Sequence, residues 1–83
     1  PLNIVLIADF DRMPKAANDE VKQLCAAIDA GCIIQNLYLF AAERNLAAVA
    51  RGSVPRDRLP ELLGLRPSQR IIVGMTLGFP QAQ

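Results

Sequence analysis

At 83 residues the chain is one domain at most. Nine basic and eight acidic residues leave a net charge of +1, and no basic run or aromatic interleaving occurs, which argues against nucleic acid as the main partner. Histidine is absent, so an imidazole metal site and a histidine general base are excluded.

The stretch Leu2–Phe10, LNIVLIADF, is a nearly continuous apolar run rich in β-branched residues. That pattern predicts a strand buried on both faces. The polar connector DRMPKAAN follows, broken by Pro14. Asn18 or Asp19 can cap the next helix, with Glu20 favourable in its first turn. Val21, Leu24, Cys25, Ile28 and Cys32 recur at three- and four-residue spacing, which is one helical face. Beyond Gly31, a position suited to close packing, residues 33–42 are apolar on every side apart from Gln35 and Asn36. A helix apolar all round is buried all round. A helix from Asn18 to Arg44 would be about 40 Å long, against a radius of gyration of about 12 Å for a compact domain of this size. It would protrude with an apolar end, so the chain is not expected to be a complete folding unit. Asn45 is suited to a left-handed stop.

The small residues of LAAVARG predict a short strand, which a flat body can approach closely. Gly52 and Ser53 turn the chain. VPRDRLPELLGL predicts a short helix with Leu59, Leu62 and Leu63 on one face, Pro60 in its first turn and Gly64 as its cap. QRIIVGMTLGF is the last strand, with Gly74 and Gly78 marking bulges or close backbone approach. The expected order is strand, long helix, strand, short helix, strand, an α+β arrangement.

Hydrophobic residues make up 52% of the chain and mean hydropathy is +0.23. A chain this small hides only roughly 60–65% of its unfolded surface when it folds alone. Some of its apolar surface is therefore expected to be covered by a partner subunit, a further segment or a cofactor. The uncharged run Ala30–Ala42 is shorter than the roughly 20 residues that span a bilayer, and no export signal is visible. These features predict no membrane span and a cytoplasmic setting. Cys25 and Cys32 lie two helical turns apart, about 10 Å along the axis. That is too far for an internal disulfide, so buried, reduced thiols are expected. The opening Pro1, where Met would be usual, suggests a processed or partial chain.

No side chain presents itself as a catalytic acid or base. Asp9 and Asp11, after a strand end, could hold a metal or simply be a solvated loop. Asp29 sits mid-helix among apolar neighbours, where a lone charge is costly unless paired or solvated. Gln35 and Asn36 pose the same question: bonds across a helix interface, or a polar ligand. Arg51 and Gly52, at a strand end, offer a guanidinium and backbone N–H groups for an anion; the alternative is a surface arginine.

The order DAG, QNLYL, small-residue strand, RGS, LPELLGL, IIVG and GFP resembles the C-terminal half of the FMN-dependent nitroreductase superfamily, on its dehydrogenase-like side. The resemblance runs through almost the whole chain. It implies an α+β homodimer in which the long helix packs across the two-fold and FMN lies in the dimer cleft. Residues 1–83 would then be the C-terminal portion of one nitroreductase-like domain, without the N-terminal arginine-rich segment with which relatives grip the FMN phosphate. The resemblance assigns Val49, Ala50, Arg51 and Gly52 to the flavin edge, and Asp29 and Cys32 to the partner's flavin. It further implies ping-pong transfer from NAD(P)H through FMN to a small organic acceptor. The rival expectation is a non-catalytic dimerisation or ligand-binding module that keeps the helix and has lost the flavin.

Overall fold

The computed structural model describes residues 1–80. Strands β1 (Leu2–Asp9), β2 (Ala47–Arg51) and β3 (Gln69–Gly78) form one antiparallel sheet in the order β1-β3-β2. Helices α1 (Asp19–Glu43) and α2 (Leu59–Leu63) complete the α+β order.

Local chemistry sets the ends of α1. The Asn18 side chain accepts from the Val21 N–H at 2.9 Å, satisfying one of the free donors of the first turn. At the other end the Leu46 N–H donates to the Ala41 carbonyl at 2.8 Å and the Asn45 N–H to that of Ala42 at 3.3 Å. Asn45 adopts φ 57. This is a Schellman closure with Asn at its left-handed position, as the sequence predicts. Gly64, at φ 68, closes α2 in the same way.

The core is the contact between α1 and the inner face of the sheet. Ala26, Ala30, Ile34 and Ala41 are the buried residues of α1. Ile34 and Ala41 pack with Met75 and Leu77 of β3, flanked by Ile4, Leu6, Leu37 and Tyr38. This stripe keeps helical spacing and is mostly alanine, so the helix lies close to the sheet.

Several sequence expectations are corrected here. β1 is an edge strand with only partial burial, not a strand buried on both faces. One of its faces meets α1, and no layer covers the other among the described residues. The row Val21, Leu24, Cys25, Ile28 and Cys32 points away from the sheet: Leu24 is 62% and Ile28 58% exposed. Both thiols are consequently exposed and free, not buried. A Cβ at Gly31 would meet nothing within 4 Å, so the sheet makes no close approach there. α2 is short and closed by Gly64, as the sequence predicts, with Leu62 and Leu63 exposed. The bulge in β3 falls at Ile72, opposite the Leu6–Ile7 step, and not at a glycine. Gly74 is a site of close approach, since a Cβ there would stand 2.9 Å from the Val54 side chain.

The molecule is drawn out. Its radius of gyration is 14.6 Å and its extents are 50 × 25 × 16 Å, above the roughly 12 Å of a compact domain of this length.

Replacing the capping residue, Asn18→Ala, is expected to cost about 1 kcal/mol. Urea unfolding followed by circular dichroism measures it, with a fall in midpoint at unchanged slope as the expected result.

Candidate functional site

β2 is the edge strand that carries the candidate residues. Its side chains alternate: Ala48 and Ala50 pack on the core, while Ala47, Val49 and Arg51 face outward. Val49 is 53% exposed. With Thr76, Gly78, Phe79 and Pro1, Ala47 and Val49 line a shallow, mainly apolar cavity of about 270 Å³, which does not include Arg51.

A polar row crosses the same face. Asn3 Oδ1 accepts from the Thr76 hydroxyl at 2.8 Å and from Arg51 Nη2 at 3.3 Å. Gly74 faces Arg51 in the ladder, and the Val54 side chain lies against it. Arg51 is exposed and most of its guanidinium donors are free among the described residues.

The turn after β2 is held by Arg56. Its Nη1 donates to the Ile71 carbonyl at 2.7 Å, and its Nη2 to the carbonyls of Gly52 at 2.9 Å and Ile72 at 3.0 Å. The bulge at Ile72 brings two successive carbonyls of β3 within reach of one planar guanidinium. Gly52 itself is open, with nothing within 4 Å of a Cβ placed on it.

The free edge of β2 is tied to the helix by the Ala50 N–H, which donates to the Tyr38 hydroxyl oxygen at 2.8 Å. Among the predicted site residues, therefore, Val49, Arg51 and Gly52 are open to a ligand, while the N–H of Ala50 is already engaged.

Asp29 and Cys32 lie elsewhere. Both are exposed on α1, and Asp29 stands at the lip of an apolar cavity of about 210 Å³ shared with Leu6, Met13, Ile33 and Ile72. That cavity lies beside β1, across the sheet from β2. One chain does not bring these two residues together with Val49–Gly52. Gln35 and Asn36 are exposed and form no side-chain bond among the described residues. Asp9 is structural: it accepts from the Asp11 N–H at 3.1 Å and from Arg66 at 3.0 Å. No cluster of metal-ligating side chains occurs among the described residues.

Sequence reasoning missed Tyr38 and Arg56. Tyr38 gave a signal, because a phenol inside an apolar helix needs a partner for its hydroxyl. Arg56 gave none, since the carbonyls it holds converge only when β3 bulges.

A model of the nitroreductase family matches residues 1–79. The chain belongs to the nitroreductase family. It is similar to a solved chain from Ralstonia eutropha assigned as a nitroreductase, at 28% identity and TM-score 0.88, over 98% of this chain and 38% of that one. It is also similar to a solved chain from Clostridium acetobutylicum assigned as an NADH oxidase, at 29% identity and TM-score 0.67, over 100% of this chain and 48% of that one. The chain thus spans less than half the length of either structure. No curated protein matches it. The family is one of oxidoreductases and generally binds flavin. By length and composition α1 would also be able to cross a bilayer, although the core helix of a soluble protein can pass the same test.

Arg56→Ala removes the donor for three carbonyls at an exposed site, where water replaces it in part. The expected cost is about 1 kcal/mol, with faster amide exchange at residues 51–53. Arg56→Lys should recover only part of this protection, because an ammonium lacks the planar fork.

Proposed function

We propose that the chain is the C-terminal portion of an FMN-dependent oxidoreductase of nitroreductase type, acting as a cytoplasmic homodimer. The observation that carries this reading is the turn at the end of β2. Arg51 presents free donors, and Gly52 leaves its backbone approachable. Beside them the small outward side chains of Ala47 and Val49 form a flat apolar floor. A planar, electron-rich ring fits a floor of this kind with N–H donors at its rim.

A bound flavin would supply the redox chemistry, that of a ping-pong exchange between NAD(P)H and a small organic acceptor. The chain's own residues bind and orient. Val49 would hold the ring by apolar contact, and the Gly52 N–H and the Arg51 guanidinium would stabilise negative charge on it. No side chain of this turn is a proton donor of suitable acidity, in keeping with chemistry carried by the cofactor.

The homodimer is supported by the bare row on α1. Val21, Leu24, Ile28 and Leu39 form a stripe opposite the one packed on the sheet, each 45–62% exposed. An apolar stripe of this length marks a protein–protein surface. Across such an interface Asp29 and Cys32 would serve the partner's flavin. The same stripe supports a second reading, a dimerisation module without flavin, because the stripe exists independently of the turn at β2.

Two measurements separate these readings. A longer protein containing this sequence should purify yellow, with the visible flavin band, while the 83-residue chain alone should be colourless. If the longer protein is colourless and takes up no added FMN, yet remains a dimer, the module reading replaces the enzyme. Substituting Ile28→Asp in the longer protein should shift its mass in light scattering from dimer to monomer and release the flavin. A dimer that survives this change would remove α1 from the interface.

A further inference from the structure

We infer that Tyr38 is a positioning residue for the cofactor-facing turn, acting through the Ala50 N–H. This rests on the flavin reading above. β2 is an edge strand, so one side of its backbone has no neighbouring strand. On that side the Ala50 N–H donates to the Tyr38 hydroxyl at 2.8 Å. It is the sole side-chain hydrogen bond between α1 and β2 among the described residues. Ala50 immediately precedes Arg51 and Gly52, and the Gly52 carbonyl is held in turn by Arg56. The two donors proposed for the flavin edge are therefore pinned on both sides, from α1 through Tyr38 and from β3 through Arg56.

Tyr38 also contributes to the core, packing its ring against the buried cluster. The ring and the hydroxyl can thus be separated by experiment. Tyr38→Phe keeps the apolar packing and removes only the acceptor. Its N–H partner then has no protein acceptor, and the strand edge is free to shift. A backbone donor displaced by a fraction of an ångström loses much of its value to a ligand.

The test uses the longer protein with and without FMN. The expected result for Tyr38→Phe has three parts. Amide exchange at Ala50 rises in the FMN-free protein while exchange in β1 stays unchanged. FMN affinity, measured by flavin fluorescence, falls about tenfold. The dimer and its melting temperature are retained. Unchanged exchange at Ala50, or unchanged FMN affinity, overturns the proposal. A parallel loss of melting temperature and of protection throughout the sheet also overturns it, by making the hydroxyl merely structural. If the unsubstituted protein fails to bind FMN, the flavin reading falls first and the positioning role falls with it. That failure is seen before any substitution is made and so is distinct from the others.

Discussion

The contact between α1 and β3 governs the arrangement of the rest. Four residues of the helix are buried, three of them alanine, and two of the four, Ile34 and Ala41, pack with the fully enclosed Met75 of β3. Small side chains let the helix approach the sheet closely, but they fill only a narrow seam. Val21, Leu24, Ile28 and Leu39 are left on the opposite side. Burial of apolar surface is the main driving force for association, so the same choice of residues that seats the helix also leaves it wanting a second cover.

That geometry links fold to function. With α1 over the inner face, β2 becomes an edge strand whose outer face and final turn stay open. Edge strands usually need protection. Here Tyr38 engages one backbone donor of the edge, and Arg56 engages carbonyls where β2 stops and β3 continues. Most of the Arg51 guanidinium donors stay free beside the open Gly52. A site built mainly from backbone and small side chains suits a cofactor that brings its own reactivity, and it explains why a search for acids, bases and nucleophiles finds nothing convincing in this chain.

Much of the fold was legible from local chemistry. Asn18, Asn45 and Gly64 each stand where a helix end demands their conformation or hydrogen bond, and all three were readable. The element order was readable for the same reason, through the change from β-branched runs to helical spacing. Errors arose where a residue's role depends on what lies opposite it. The continuous apolar run of β1 looked like a strand covered on both sides. The spaced apolar row on α1 was readable as one helical face, and its thiols looked buried. Both patterns report apolar surface correctly, yet neither says which neighbour covers it.

The sequence by itself determined the ends of the elements, their types and order, and the surplus of apolar surface, because each depends on backbone preference or on composition summed along the chain. The nitroreductase resemblance was readable for a related reason, since it lies in the order and spacing of short motifs. Only the tertiary structure decided which stripe of α1 meets the sheet, that β3 lies at the centre, and that Tyr38 and Arg56 hold the turn at Arg51 and Gly52. Those outcomes come from groups distant in sequence meeting at hydrogen-bond distance, and a phenol, a bulged pair of carbonyls and an edge amide carry no mark of one another until the chain has folded.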